Sequence, residues 1–377
     1  MLKFFTGLVR KKFTPLNLIT INKQRLIDNY QALSEINPDI KVAPVLKSNA
    51  YGHGIRLVGD ILDEVNAPFL CVDSLYEAFQ LRSKTGVKTP ILIMGYIHPK
   101  SLSVKRLPFS FAVYDLEHVK VLNEFQEGAK IHIFVDTGMH REGVGMGDLP
   151  GFLKGLEKLK NIEVEGLMSH LADPANPDSP LTIKQLENFE EAKKIVLGAG
   201  FLPKWFHIGG TYGLLNGLTA GCNLVRVGRA VYGIDDKDSK ALDLELKPAL
   251  KHNTKIVQIK NIKKGEKVGY SGTFTAPKDM KIAILPLGYN DGVDRRLSNK
   301  GAVMIGDIEC PIIGLVSMNI TTIDITVVKE PFLGQEVVVF SDIEQDPNSV
   351  VNSSRRGGVL PHEMLIHIAE STKRVVV

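Results

Sequence analysis

Short apolar runs rich in β-branched residues recur along the N-terminal part of the chain, and stretches with a helix-like pattern separate most of them. Two of these stretches, Leu116 to Phe125 and Lys184 to Leu197, carry charges at three- and four-residue spacing, which is typical of surface helices. Such alternation favours parallel strands wrapped by helices, and we predict an α/β fold with an eight-stranded TIM-type barrel that ends near Asp236. The eight predicted strands are Lys41 to Leu46, Phe69 to Asp73, Ile91 to Met94, Ser110 to Tyr114, Lys130 to Asp136, Glu163 to Ser169, Trp205 to Ile208 and Asn223 to Val227.

The pattern changes beyond Ala241, where short β-branched runs are separated by Gly, Pro and Asn-Asp turns. Runs of this kind are typical of a β-rich domain. We therefore predict an N-terminal extension over residues 1–17, a barrel over residues 18–240 and a β-rich C-terminal domain over residues 241–377. Within that last domain only His362 to Ser371 has a helix-like pattern. Its predicted strands are Lys255 to Ile259, Lys281 to Pro286, Gly301 to Ile305, Thr321 to Val328 and Glu336 to Phe340.

The composition is that of a chain with a large core, because 44% of its 377 residues are hydrophobic and 23% are charged. The net charge of +4 is spread along the chain, which argues against a nucleic-acid partner. No run is long enough to span a membrane, and the N-terminus lacks the pattern of an export signal. Cys71, Cys222 and Cys310 are odd in number and have no metal-ligand spacing. We therefore expect a cytoplasmic protein without a metal site.

A single lysine, Lys47, follows the first predicted strand, and a glycine-bearing turn begins directly after it. Barrel enzymes present their reactive side chains at the C-terminal ends of the strands. Partial desolvation there lowers the pKa of a lysine amine towards the neutral, nucleophilic form, which suits Schiff-base formation with an aldehyde cofactor. The alternative interpretation is a surface lysine that only closes the strand.

Polar residues also follow four of the later strands. Singly, each has a structural explanation, such as a surface ion pair for Arg141 or a hydrogen-bonded core position for His170. Because the C-terminal ends of parallel strands meet at one mouth, the set together predicts an active site. Thr211 and Gly228, in the turns after the seventh and eighth strands, further predict a phosphate pocket. The polar segments are Asp136 to Gly143, His170, Gly209-Gly-Thr211, and Arg226 with Gly228.

These motifs, in this order, resemble those of the alanine racemases, which are pyridoxal-phosphate enzymes built from a barrel and a β-domain. The run Lys47-Ser-Asn-Ala-Tyr-Gly-His-Gly54 is close to the family's cofactor-lysine signature. The resemblance implies pyridoxal 5'-phosphate as cofactor, an amino acid as substrate, and a head-to-tail homodimer with shared active sites. The cofactor-binding residues that it implies are Lys47, Tyr51, His170, Thr211, Arg226, Gly228, Arg229 and His362.

The resemblance also assigns residues to the reaction. The segment Val268 to Thr275 is similar to the one that carries the family's second base, which would be Tyr270 of the partner chain. Lys47 and Tyr270 are thus the implied catalytic residues, and the implied substrate-binding residues are Arg141, Tyr289 and Met318.

Racemisation itself requires two such groups, because the α-hydrogen leaves from one face of a planar intermediate and a proton returns to the other. A phenol that titrates near ~10 in water is a poor base at neutral pH, so Tyr270 needs a nearby cation, and His170 is a candidate. Arg226 opposite the pyridine nitrogen would keep its own protons, which limits electron withdrawal by the ring and suppresses transamination.

Four positions depart from the family pattern. Phe134 stands where a modified lysine is common, so another group must orient Arg141. Ser317-Met-Asn319 replaces Cys-Met-Asp, which removes one carboxylate beside the substrate. His362 replaces a tyrosine at the phosphate, and Gly210 replaces an asparagine.

Three functions remain open from the sequence. The first is an alanine racemase that supplies D-alanine for cell-wall peptidoglycan. The second is a racemase of the same fold that acts on serine, on basic amino acids or on a broad range. The third is a protein that binds pyridoxal phosphate without turnover, although such a carrier has no need of Tyr270. The surroundings of Cys310 lack the cysteine-bearing motif of the related decarboxylases.

Overall fold

Eight parallel strands form a ring in the N-terminal part of the protein, which confirms the predicted α/β barrel. The computed structural model describes residues 14–234 and 244–377, so most of the predicted N-terminal extension and the segment from Asp235 to Ala241 lie outside the described residues. The strands of this part are β1 (Leu18–Ile21), β2 (Lys41–Pro44), β3 (Leu70–Val72), β4 (Ile91–Ile93), β5 (Ser110–Val113), β6 (Ala129–Asp136), β7 (Val144–Gly145), β8 (Ile162–Met168), β9 (Trp205–His207) and β10 (Leu224–Val227).

The ring closes through regular pairing and a few single contacts. Strands β3, β4, β5, β6, β8 and β9 pair in that order, and β10 pairs with β2. An isolated parallel bridge between Val45 and Cys71 joins β2 to β3. Backbone amides of Asn223 and Arg226 donate to the carbonyls of Phe206 and Gly209, which connects β10 to β9. The C-terminal ends of all eight strands therefore surround one mouth.

Helices lie between the barrel strands and begin at residues that suit a helix start. Ser74 forms a capping box with Glu77, and the Asp115 side chain accepts from the backbone of Glu117. The longest helix follows Ser179 and has proline in its first turn. The helices of this part are α1 (Lys23–Glu35), α2 (Lys47–Tyr51), α3 (Ile55–Leu62), α4 (Leu75–Lys84), α5 (Pro99–Leu102), α6 (Leu116–Phe125), α7 (Leu149–Leu156), α8 (Pro180–Gly198) and α9 (Thr211–Leu215).

The second domain is mainly antiparallel. Its helices and strands are β11 (Leu250–Lys255), β12 (Gln258–Ile262), β13 (Lys267–Val268), β14 (Phe274–Thr275), β15 (Met280–Leu285), β16 (Ala302–Ile305), β17 (Ile308–Pro311), β18 (Thr321–Asp324), β19 (Glu336–Phe340), α10 (Val350–Gly357), α11 (Pro361–Ile366) and β20 (Lys373–Val376). These strands form a six-stranded sheet in the order β17-β16-β19-β11-β1-β20, a three-stranded sheet β12-β15-β18 and a hairpin of β13 and β14.

The first strand, β1, belongs to this second sheet, although the sequence analysis placed residues from 18 onwards in the barrel. It runs antiparallel to β11 and parallel to β20. Ile19 and Ile21 are fully buried, whereas the residues between and before them are half-buried, as expected for a strand with one face on a core. The described chain therefore begins and ends in the β-rich domain, with the barrel between.

The barrel interior is filled by side chains. A cluster on β2, β3, β4 and β10 includes Val45, Cys71 and Leu92, and Phe134 packs with Met168 nearer the mouth. All three cysteines are free and buried. Among the described residues, no helix has the length and apolarity needed to cross a membrane. The described residues also contain no group of three His, Cys, Asp or Glu side chains suited to a metal ion.

The turn that follows Lys47 has an unusual backbone. Ser48, Asn49, Ala50 and Tyr51 all have φ between 50° and 55°, so four consecutive L-residues are left-handed. Each such residue costs roughly 1–2 kcal/mol. This turn reverses the chain at the barrel mouth and sends both Lys47 and Tyr51 into the same space. Other contacts must offset the strain.

Three side chains hold the left-handed turn. The Glu77 carboxylate accepts hydrogen bonds from the backbone amide of Ser48 at 2.6 Å and from that of Asp73 at 2.9 Å. Asn49 accepts from the amide of Ile55 at 2.8 Å, and Arg374 of β20 donates to the Gly52 carbonyl at 2.8 Å. The second domain thus helps to fix a turn of the barrel.

We predict that Glu77→Gln lowers the free energy of unfolding by about 1–3 kcal/mol, because an amide nitrogen would then face a backbone N–H that now has a charged acceptor. Urea unfolding monitored by circular dichroism measures the change. Glu124→Gln, at an exposed position of α6, is the matched control and should be neutral. Equal midpoints for both variants would contradict the role of Glu77.

Candidate active site

A cavity of about 770 Å³ opens at the barrel mouth, and nine of the twelve predicted site residues line it. They come from the ends of several strands and from α11, which reaches over the mouth from the second domain. These nine residues are Lys47, Tyr51, Arg141, His170, Thr211, Arg226, Gly228, Arg229 and His362. The sequence prediction that they gather in one place is consistent with this geometry, and their individual roles stay predictions.

Lys47 lies at the entrance to the left-handed turn and points into the cavity. Its Nζ is 3.9 Å from Oδ1 of Asp73, and its side chain is 41% exposed in the single chain. That distance is long for an ion pair, so the contact leaves the amine available to a ligand in the cavity.

The cavity carries more positive than negative charge. Four cations line it, Lys47, Arg141, Arg226 and Arg229, against two carboxylates, Asp73 and Glu142. Cations held close together repel one another unless an anion compensates them. The cavity therefore suits a ligand with at least two anionic groups, such as a phosphate together with a carboxylate.

One end of the cavity has the features of a phosphate cradle. Gly228 leaves room for Tyr51, because a Cβ there would lie 2.6 Å from the Tyr51 hydroxyl oxygen. Burial raises the pKa of Tyr51 to about 12, so its hydroxyl keeps its proton and can donate. Thr211 opens α9 beside it, and the Arg229 guanidinium lies 5.0 Å from the Tyr212 ring.

His362 closes this end from the second domain. Its ring lies 6.3 Å from that of Tyr51 in an edge-on arrangement. Burial, followed by the charge of Arg229, lowers the pKa of His362, so the ring is neutral at physiological pH. A neutral imidazole donates from one nitrogen, so its chemistry suits a position beside a phosphate.

Arg226 forms the floor of the cavity and is only 5% exposed. Its Nη2 donates to the Ser169 carbonyl at 2.6 Å and to His170 Nδ1 at 3.2 Å, while Nη1 donates to His207 Nδ1 at 2.5 Å. Burial lowers the pKa of Arg226 to about 10, which still leaves a cation at neutral pH. These bonds fix the plane of the guanidinium.

His170 is neutral, which corrects the expectation that it is the cation that favours ionisation of Tyr270. Burial lowers its pKa to about 3, and the positive charges of Arg226, Arg141 and Lys47 act in the same direction. His170 accepts a hydrogen bond from Arg226, so the cation on this side of the cavity is Arg226 itself.

Arg141 has a different partner from the one that the family pattern suggests. Phe134 is buried against Met168 and Tyr114 and offers it no polar group. Instead the neighbouring Glu142 carboxylate accepts a short hydrogen bond from Arg141 Nε. The loop before it is tied by Asp136, whose Oδ1 accepts from three successive backbone amides of residues 138–140.

The other three predicted residues, Tyr270, Tyr289 and Met318, are not among the described residues that line this cavity. In the second domain, Tyr270 and Tyr289 each begin a short 3-10 helix between strands and Met318 lies on a loop, with exposed fractions of 70%, 41% and 56% in that order. Two of these segments are joined, because the Tyr289 amide donates to the Ser317 carbonyl at 3.0 Å. In one chain, the base predicted for the second face is therefore separate from Lys47.

Several supporting residues escaped the sequence analysis. Glu77 could have been found from the sequence, because Ser74 and Glu77 have the spacing of a capping box at a helix start. Arg374 lies far from the turn in sequence and gave no signal. The same is true of His132, His207 and Glu165, which hydrogen bond to one another inside the barrel behind Arg226.

Comparison with known proteins agrees with this geometry. The sequence model described as "Alanine racemase, N-terminal domain" matches residues 21–236, and that described as "Alanine racemase, C-terminal domain" matches residues 249–376. The chain is 33% identical over 367 residues to Alanine racemase 2 of Caldanaerobacter subterraneus subsp. tengcongensis, which covers 95% of this chain and 94% of the relative.

Two solved structures extend the likeness to the fold. Alanine racemase of Clostridium difficile 630 has a TM-score of 0.90 at 27% identity, covering 97% of each chain. The alanine racemase of Bacillus anthracis, solved with bound L-Ala-P, has a TM-score of 0.87 at 28% identity and covers 97% of this chain and 96% of that one. The chain belongs to the alanine racemase family.

Proposed function

We propose that this protein is a pyridoxal-phosphate-dependent racemase that interconverts L-alanine and D-alanine. The observation that carries the proposal is the position of Lys47 in a cavity whose cations outnumber its carboxylates. The family depends on pyridoxal phosphate. The curated relatives at 30–35% identity are alanine racemases, and the structure of the Bacillus anthracis alanine racemase, at 28% identity, was solved with bound L-Ala-P. D-alanine made in the cytoplasm would serve peptidoglycan synthesis.

The residues of the cavity fit the cofactor. Tyr51, Thr211, Arg229 and His362 would hold its phosphate, with Gly228 providing the space, and Arg226 would face its ring nitrogen. Bound there, pyridoxal phosphate supplies an aldehyde that condenses with amines and a ring that withdraws electrons from the α-carbon of an amino acid.

The chain's own groups would then divide the work. Lys47 Nζ would exchange a proton with the α-carbon on one face, and the Tyr270 hydroxyl of a second chain would do so on the other. Arg141, oriented by Glu142, would bind the substrate carboxylate. Arg226 stays protonated and donates no proton to the ring, which keeps electron withdrawal moderate and favours racemisation over transamination.

Asn319 bears on the choice of substrate. Its amide donates to Asp291 at 3.0 Å, and the same carboxylate oxygen accepts from the Gly288 amide at 2.9 Å. An aspartate at this position would place two carboxylates together, so the asparagine suits its neighbour. Racemases of serine, of basic amino acids or of broad range remain the alternative outcomes of a substrate test.

The separation of Tyr270 from Lys47 supports a homodimer with shared sites. The exposed side chains of Tyr270, Tyr289 and Met318 form a surface of one chain that would complete the mouth of the other. A two-fold axis gives both mouths the same arrangement. Neither chain alone would hold both bases in one cavity.

With added pyridoxal phosphate, we expect the purified protein to racemise alanine faster than serine, lysine or arginine, because the family's substrate is the smallest of these. Chiral chromatography of each mixture measures the rates. Borohydride should attach the pyridoxyl group to Lys47, as peptide mapping can verify. Lys47→Ala should abolish both signals. A label on another lysine would contradict the site, and turnover of serine or basic amino acids alone would select the second racemase.

We expect Lys47→Ala and Tyr270→Phe proteins, each inactive alone, to regain activity when they are unfolded together and refolded. Random pairing makes half the dimers mixed, and each mixed dimer has one intact site, so recovery should approach roughly a quarter of wild type. Activity and subunit exchange are measured on the same samples.

A second mixture provides the control for this arrangement. Wild type refolded with an equal amount of the Lys47→Ala, Tyr270→Phe double variant should keep roughly a quarter of the activity of wild type if sites are shared, because every site of a mixed dimer is damaged. If both bases came from one chain, half would remain and the first mixture would stay inactive.

A further inference from the structure

A row of buried polar side chains crosses the barrel behind Arg226. His207 at the end of β9 lies against Arg226, His132 on β6 lies beyond it, and Glu165 on β8 ends the row. His132 Nδ1 is 2.8 Å from His207 Nε2, and His132 Nε2 is 3.3 Å from Glu165 Oε2. Both histidines are completely buried, and Glu165 is 7% exposed.

The barrel is shaped to hold this row. A Cβ on Gly166 would lie 2.2 Å from the His132 ring, so only glycine leaves space for that ring. The pairing of β6 with β8 shifts register at this point, where Ile131 is opposite Val164 and His132 is opposite Gly166. This irregularity in the ladder leaves Glu165 without a partner residue of its own.

The hydrogen bonds have one possible direction. Arg226 Nη1 can only donate, so His207 accepts at Nδ1 and carries its proton on Nε2. His207 therefore donates to His132 Nδ1, and His132 carries its proton on Nε2, which it donates to the Glu165 carboxylate. The row runs from a cation to an anion through two neutral rings with the same tautomer.

The charges are consistent with this direction. Burial lowers the pKa of both His132 and His207, so the two rings are neutral at physiological pH. Burial would raise the pKa of Glu165, but hydrogen bonds from His132, Ser110 and Lys130 outweigh it and bring the value to about 2. Ser110 Oγ is 2.6 Å and Lys130 Nζ is 3.0 Å from the carboxylate.

A histidine that only fills space looks different in this protein. His252 of β11 is equally buried, and neither of its ring nitrogens has a hydrogen-bond partner among the described residues. Apolar side chains would fill the barrel centre at lower cost than three polar groups. The full set of bonds from Arg226 to Glu165 therefore indicates a role beyond packing.

We propose that Glu165, His132 and His207 form a positioning relay that fixes the orientation of Arg226 from the opposite side of the barrel. None of the three lines the cavity, so none is a catalytic residue. The relay extends the proposed function, because the guanidinium that it holds is the group that would face the ring nitrogen of the cofactor. The aligned ring dipoles carry the influence of the Glu165 charge to the floor of the site.

The first test uses the wild-type protein, with and without pyridoxal phosphate, labelled with ¹⁵N in histidine. Long-range ¹H–¹⁵N spectra should show two neutral rings protonated at Nε2, with a scalar coupling between His207 Nε2 and His132 Nδ1 across their hydrogen bond. A proton on Nδ1 of either ring, or a charged ring, would overturn the relay. This test needs no variant, so a folding defect cannot obscure it.

The second test compares Glu165→Gln with Glu163→Gln, an exposed position two residues away that also faces Lys130. In Glu165→Gln, the oxygen of the new side-chain amide should turn to Lys130, which leaves the NH₂ group towards His132 and forces that ring to accept at Nε2. The tautomer of His132 should then reverse or become mixed, while Arg226, which can only donate, keeps the proton of His207 on Nε2. We expect kcat to fall roughly tenfold with KM unchanged, as for other groups that orient an active-site residue.

The outcomes separate the relay from the proposed function. If Glu163→Gln reproduces the spectra and the kcat of Glu165→Gln, or if Glu165→Gln leaves both unchanged, the relay is wrong while racemisation stands. If the wild-type protein racemises no amino acid but its rings show the predicted tautomers and respond to Glu165→Gln, the proposed function fails and the relay remains.

Discussion

The left-handed turn from Ser48 to Tyr51 is the constraint on which the active site depends. At roughly 1–2 kcal/mol for each of its four residues, it is among the most expensive pieces of backbone that a chain of L-residues can hold. The left-handed turn places the Lys47 amine and the Tyr51 hydroxyl in one cavity, and the protein stabilises it with Glu77 from the barrel and Arg374 from the second domain. The two domains are therefore coupled at the turn that follows Lys47.

Charge is the second constraint. The cavity holds Lys47, Arg141, Arg226 and Arg229 close together. After burial itself, three of these cations lower the pKa of His170, and repulsion by Arg141 contributes to the lowered pKa of Arg226. Anionic ligands relieve this repulsion on the cavity side. On the far side, Arg226 donates to His207 and to backbone carbonyls, which are neutral acceptors, and the Glu165 carboxylate lies two imidazole rings away. Arg226 thus stays a cation with a fixed plane while no carboxylate competes with a ligand for it.

The sequence predicted the barrel strands and the gathering of Lys47, Arg141, His170, Thr211, Arg226 and Gly228, because apolar runs and strand-end positions are local signals that a parallel barrel converts into a single mouth. Tyr51, Arg229 and His362 were predicted only from the family resemblance. The sequence analysis missed the pairing of β1 with β11 and β20, since pairing between residues more than 200 positions apart leaves no local pattern. The prediction that His170 is a cation was wrong for a related reason. The pKa of His170 depends on burial and on Arg226, and the residues next to His170 in the sequence reveal neither. The same limit hid the row behind Arg226, whose members stand on three strands and look like ordinary core positions.

The departures from the family pattern also have a physical logic. Phe134 offers Arg141 no anionic partner, because its side chain joins an apolar cluster with Met168 and Ala112. Glu142 instead supplies a carboxylate from the solvent side, where the cost of desolvation is small. Asn319 likewise avoids a second carboxylate beside Asp291, which already accepts from the Gly288 backbone. At both positions the negative charge is supplied by a neighbouring residue, Glu142 beside Arg141 and Asp291 beside Asn319. They change the partners around Arg141 and Asp291, while Arg141 keeps the charge that would meet a substrate carboxylate in the proposed function.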